Sequence, residues 1–143
     1  MSQTIKKRRV VVTGSGCLTP IGNTPKEFWD SLVAGKSGTH RVTQVDPGQF
    51  NSRVSAEVKN FDPAKYQPPK QVKKSDRFVQ FAVASSAMAL QDAKIDLSRE
   101  DPYKFGVLIG SGIGGLRIIE EQHKIMLEKG PSRISPFLIP MLI

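Results

Sequence analysis

An α/β architecture is what the sequence predicts, and three observations carry that reading. Two apolar runs, RVVVTG at 9–14 and KFGVLIG at 104–110, each end in glycine, as buried strands do before a tight turn. Segments with helical apolar spacing follow both runs. A glycine-rich loop, GSGIGG at 110–115, joins the second predicted strand to its helix.

After the first run, Thr24 offers a helix N-cap, Pro25 suits the first helical position through its preset φ, and Glu27 completes a capping box. Phe28, Trp29, Leu32 and Val33 then form one apolar face, and Gly35 a stop. Residues 36–72 hold much of the Pro, Gly, Asn and Asp and read as a long irregular excursion. Within it, the alternating RVSAEV at 53–58 predicts a short edge strand. A helix is predicted from 75 to about 94, where Ala and Ser surround Phe78, Phe81, Met88 and Leu90. So many small side chains imply close approach to a neighbouring helix or sheet. The last predicted helix covers 116 to about 129, with Leu116, Ile119, His123 and Met126 recurring at helical spacing. That stripe makes His123 a packed side chain rather than a catalyst. No internal repeat or low-complexity segment is present.

Composition excludes several classes. The chain has 143 residues, 38% of them hydrophobic, with a single cysteine. A disulfide scaffold needs paired cysteines, and Cys17, His40 and His123 do not make a zinc pattern, so no metal is indicated. The apolar runs fall far short of the roughly 20 residues that span a bilayer, and the MSQTIKKRR start has no apolar stretch behind its charges. The chain therefore reads as soluble and intracellular, with a cytoplasmic location expected.

The 21 Lys+Arg against 13 Asp+Glu leave a net charge of +8, and it is unevenly placed. Basic and acidic residues number 9 and 4 over 1–60, 5 and 2 over 61–80, and 7 and 7 over 81–143. The excess lies in KKRR at 6–9 and in Lys65, Lys70, Lys73, Lys74 and Arg77. The first cluster reads as a solvated lead-in to a strand. A nucleic acid partner is not supported, because no recognition helix, zinc finger or interleaved aromatic pattern accompanies the charge.

The glycine motifs bear on possible chemistry. Gly110, Gly112 and Gly115 satisfy G-x-G-x-x-G between a strand and a helix, which raises a dinucleotide site. Such a site needs a second strand ending in Asp or Glu further on, whereas GPSRISPFLIP follows the helix here. Gly14 and Gly16 lack a third glycine, since Thr19 stands in its place, so they read as residues of a sharp turn. Cys17 has no identifiable base and reads as a small apolar-like residue. Neither Ser15 nor Ser111 sits in a nucleophile elbow, because Thr13 and Ile109 occupy the first glycine position. The closing ISPFLIPMLI is an apolar run that something ought to bury, and from it the chain is expected to be a fragment.

RRVVVTGSG and TPIG, followed by FWDSLVAGKSG, KKSDRFVQFAVASSAMALQDA, GVLIGSGIGGL and GPSRISPFLIPMLI, closely resemble the opening third of the 3-oxoacyl-[acyl-carrier-protein] synthase II family. The likeness runs through essentially the whole chain. It implies a thiolase-like α/β fold, part of a five-layered αβαβα architecture. Residues 1–143 would then be the N-terminal part of the first thiolase-like half, with the remainder of the family's chain absent. It implies a homodimer that elongates fatty acids by decarboxylative Claisen condensation of an acyl thioester with malonyl-carrier. The family's nucleophilic cysteine and oxyanion-stabilising histidines have no match here, so Cys17 inherits no role and the chain alone is expected to be inactive. By the same resemblance, Ile113 borders the acyl pocket, and Leu138 and Ile139 line the pocket of the partner subunit. Lys70, Lys73 and Lys74, extended by Arg133, match a patch that binds acyl carrier protein. Beyond the carrier's phosphopantetheine no cofactor is implied, and neither nucleic acid nor membrane is an expected partner. A polyketide-type condensing domain is one alternative. A stand-alone module binding a dinucleotide or an acidic protein is another.

Overall fold

The computed structural model describes residues 8–143, so Lys6 and Lys7 of the first basic cluster lie outside the described residues. Helix α1 (Pro25–Val33) leads into strands β1 (Thr39–Arg41) and β2 (Val54–Ala56). The short α2 (Pro69–Val72), the long α3 (Arg77–Ala93), α4 (Leu116–Lys129) and α5 (Leu138–Leu142) follow. Single 3-10 turns stand at Pro63–Lys65, Pro102–Lys104 and Pro131–Arg133.

Local signals placed α1 and α3 correctly. The Glu27 N–H donates to Thr24 Oγ1 at 3.2 Å, and Pro25 opens the helix. The Glu27 carboxylate reaches one residue further back than a capping box predicts, accepting from the Asn23 N–H at 2.8 Å. Asp76 caps α3, and Lys94 closes it in the left-handed region at φ 52°. Most of the predicted apolar face of α1 is open: Trp29 is 62% and Val33 70% exposed, Phe28 is half-buried, and Ser31 is the buried residue of that helix.

The predicted edge strand at 53–58 exists as β2, but its partner was missed. β2 pairs antiparallel with β1, Thr39 opposite Ala56 and Arg41 opposite Val54. The polar sequence THR carries no alternation by which to recognise a strand, and it forms one only because β2 supplies its hydrogen bonds.

Neither of the two predicted strands pairs. Residues 9–14 and 105–110 are irregular among the described residues, with Val10 89% and Leu108 99% exposed. Strand propensity is realised only when a neighbouring backbone completes the ladder, and no described segment does so. Residues 14–16, at the end of the first segment, lie instead along α3. The Ser15 N–H donates to Asp92 Oδ2 at 2.8 Å. A Cβ on Gly14 would stand 2.6 Å from the Ala93 nitrogen, and one on Gly16 would stand 2.8 Å from that of Ala89. Neither glycine has positive φ, so the sharp-turn reading is corrected: both are small because backbone packs on backbone there. The Ala and Ser residues of α3 supply the matching surface, as their number predicted.

Buried apolar residues are few among those described, Ala84 at 0% and Ile118 at 8% exposure being the two. The chain exposes 11928 Å². A compact monomer of this mass exposes about 7,300 Å². Exposed apolar side chains on the two unpaired segments, on α1 and on α4 contribute to that excess.

Candidate functional site

The glycine loop, α3 and the end of α5 meet around one open cavity of about 650 Å³. Phe78, Val79, Ala82 and Val83 line it from α3, spaced so that one helix face presents all four. Ile109 and Ile113 close it from the loop side, and Leu142 and Ile143 from the chain's end. A second hollow, of about 570 Å³, shares Phe78, Ala82, Ile109 and Ser111 with the first. Apolar walls of this kind suit an alkyl chain, each buried methylene contributing about 0.8 kcal/mol.

Ile113 stands at this cavity with φ 75°, in the left-handed region. A β-branched side chain adopts that conformation only when its surroundings impose it, at a cost of order 1–3 kcal/mol. The constraint is visible in the next two residues. Gly115 donates its N–H to the Leu142 carbonyl at 3.2 Å. A Cβ on Gly115 would meet the Met141 carbonyl oxygen at 2.5 Å, and one on Gly114 would crowd that of Leu142. These two glycines therefore allow α5 to dock on the loop, while a Cβ on Gly110 or Gly112 would meet nothing.

Asp76 is the buried carboxylate of the region, 8% exposed. Its Oδ1 accepts from the Arg77 N–H at 2.6 Å and lies 3.4 Å from Arg117 Nη2, while Oδ2 faces Gly115. Sequence reasoning missed Asp76, Arg117 and Phe78 as residues of the site. One signal was legible: Arg117 occupies the first turn of α4, where the helix dipole disfavours a cation unless a carboxylate is near.

The basic residues divide into free and engaged. Lys70 and Lys73 are exposed at α2, and Arg133 is exposed in the turn after α4. Lys74 is half-buried with its Nζ 4.1 Å from the centroid of the Phe137 ring, a cation–π contact. None of these four has a carboxylate within ion-pair distance among the described residues. Arg77 is engaged internally: it donates to the Val58 carbonyl at 2.7 Å and lies 5.0 Å from the Phe81 ring centroid.

Leu138 and Ile139 are not brought to the cavity of Ile113. Leu138 lines an apolar hollow of about 300 Å³ beside α4, and Ile139 is 58% exposed. His123 is exposed at the margin of that same hollow, which corrects the packed reading. The buried side of α4 carries Ile118, with Gln122 and Ile125 half-buried, and Gln122 Oε1 accepts from the Ser135 N–H at 2.7 Å. Cys17 is half-buried, and burial pushes its thiol pKa up, the opposite of what a nucleophile needs. Among the described residues no cluster of three or more His, Cys, Asp or Glu could hold a metal, and no helix is long and apolar enough to cross a membrane.

Residues 7–143 match the family described as Beta-ketoacyl synthase, N-terminal domain, and the chain belongs to that family with its thiolase-like fold. Within it the chain is similar to 3-oxoacyl-[acyl-carrier-protein] synthase 2 of Synechocystis, 47% identical over 139 residues that cover 97% of this chain and 33% of the relative. The enzyme of the same name from Vibrio cholerae is 43% identical, with 97% of this chain and 34% of the relative covered. Solved structures agree. The ishigamide ketosynthase/chain length factor superposes with a TM-score of 0.78 at 28% identity, covering 96% of this chain and 34% of its own. A type II PKS ketosynthase, solved in complex with its acyl-carrier protein and bound to the hexaketide, gives 0.74 at 26% identity, covering 93% and 36%. The chain thus spans about a third of the length of the curated relatives it matches.

Proposed function

We propose that the protein carrying this chain elongates fatty acids as a β-ketoacyl-acyl-carrier-protein synthase. An enzyme cysteine thiol takes the acyl group from its carrier as a thioester. Malonyl-carrier loses carbon dioxide, and the electron pair left on its α-carbon forms a new C–C bond to the acyl carbonyl. Departure of the cysteine thiolate gives a 3-oxoacyl-carrier two carbons longer. The cysteine, and the histidines that stabilise the developing oxyanion, belong on this reading to parts of the protein outside these 143 residues.

The apolar cavity beneath the family's glycine loop is the observation that carries the reading. Ile113 stands at it as a bulky border residue, and walls of Phe, Val, Ala, Ile and Leu suit an acyl tail. Lys70, Lys73, Lys74 and Arg133 would receive the acidic carrier protein, a role supported by their lack of carboxylate partners and by a related ketosynthase captured with its carrier. Leu138 and Ile139, which leave Ile113's cavity alone, fit a homodimer in which they reach the partner subunit's pocket. The reading places the enzyme in the cytoplasm, with no cofactor beyond the carrier's phosphopantetheine and with neither nucleic acid nor membrane as partner.

The test is to incubate the whole protein with an acyl-carrier and malonyl-carrier and to follow carbon dioxide release and products by mass spectrometry. A single two-carbon extension is expected. Repeated unreduced extension would move the protein to the polyketide-type enzymes, and no condensation would overturn the reading.

A further inference from the structure

We infer that Asp76 and Arg117 form a positioning pair which holds the glycine loop, and with it Ile113, at the apolar cavity, and so tunes the acyl length the site accepts. This rests on the condensing function proposed above. α4 has no side-chain cap of its own, because Gly115 occupies the cap position. The carboxylate at its start comes from another helix: Asp76 Oδ2 would lie 3.1 Å from a Cβ on Gly115, and Oδ1 lies 3.4 Å from Arg117 Nη2. Asp76 thus sets a negative charge at the N-terminal ends of both α3 and α4, where the helix dipoles favour it. Arg117, a cation in that same first turn, is compatible with the dipole because Asp76 and Glu121 face it, the latter with Oε1 3.6 Å from Arg117 Nε.

The pair sits where it controls the loop. Gly115 is bound to the Leu142 carbonyl, Gly114 lies 3.8 Å by its Cβ position from Phe78 Cζ, and Phe78 follows Asp76 by two residues on a cavity-lining face. Ile113 holds its left-handed backbone one residue before this clamp. Removing the guanidinium leaves a buried carboxylate without its cationic partner beside the loop, so the loop must shift to hydrate it. Arg117 is itself 61% exposed, so its truncation does not open a core.

Arg117→Ala and Asp76→Asn in the whole protein, with Arg117→Lys as rescue, test the pair through two readouts. The first is kcat/KM over a series of acyl-carrier lengths: the ratio of long to short primers changes by about tenfold in Arg117→Ala, and Arg117→Lys recovers part of it. The second is amide hydrogen exchange over 110–115, which quickens in Arg117→Ala and Asp76→Asn. An unchanged length profile, or an equal loss at every length, overturns the inference, as does unchanged exchange. Wild-type protein that condenses nothing sinks the function instead, and the exchange result then still shows whether the pair holds the loop.

Discussion

Single residues show how closely backbone packing constrains this chain. A methyl on Gly16 would press into the backbone of α3 at Ala89, a contact no side-chain rotamer can relieve. Gly16→Ala in the whole protein is expected to cost about 1–3 kcal/mol by chemical denaturation, as overpacking does, and an unchanged midpoint would refute the close approach. Glu57 gives a pH-dependent contact. The Thr43 hydroxyl foremost, then the Thr43 N–H, lower its carboxyl pKa from 4.5 to about 2. Thr43 Oγ1 donates to Oε2 at 2.5 Å, and its N–H to Oε1 at 2.9 Å. Because the folded-state value is depressed, the contact's contribution is complete above pH 4.5 and fades as pH falls towards 2. Protection factors of the Thr43 and Gln44 amides are expected to drop over that window in the wild type and to be flat in Glu57→Gln. Flat protection in both would disprove it.

Among the elements, those specified by local chemistry were legible and those needing a distant partner were not. Thr24, Pro25 and Glu27 define the start of α1 with no help from the rest of the chain. Thr24→Ala is therefore expected to remove about 1 kcal/mol of stability, measured by urea unfolding, and a cost near zero would mean the cap is replaced by water. α3 was legible for the same reason. The runs at 9–14 and 104–110 have strand-like residues but no ladder, because pairing is a property of two segments. α4 shows a subtler limit. Ile118 and Ile119 are adjacent, so two overlapping apolar stripes run along the helix, and periodicity cannot say which turns inward. Tertiary packing buries Ile118, while Leu138 and Leu142 of α5 line a hollow with Ile119 and Met126 and leave His123 exposed at its margin.

For the molecule as a whole, charge and apolar surface divide the work. Part of the basic excess noted in the first 80 residues is Arg77, engaged by Phe81 and Val58, and another part is Lys70, Lys73 and Lys74, which have no carboxylate within ion-pair distance among the described residues. Lys70→Glu, Lys73→Glu and Lys74→Glu together in the whole protein are expected to slow carrier association at low salt, since exposed charges act mainly on the encounter rate. Stopped-flow rates that match wild type in low and high salt would remove the carrier from this surface. Apolar residues stay exposed at the cavity by Ile113, on α1 and α4, and on the two unpaired segments.

Read alone, the sequence determined α1, α3 and α4, the cap of α1, the family and the order of its motifs, because each is written in residues close together in the chain. Tertiary structure decided that Gly14 and Gly16 serve packing, that Ile113 is held in a left-handed conformation at a cavity, and that Asp76 meets Arg117 across 41 residues. Those facts depend on where α3, the glycine loop and α5 meet, and no spacing within one segment encodes a contact between three.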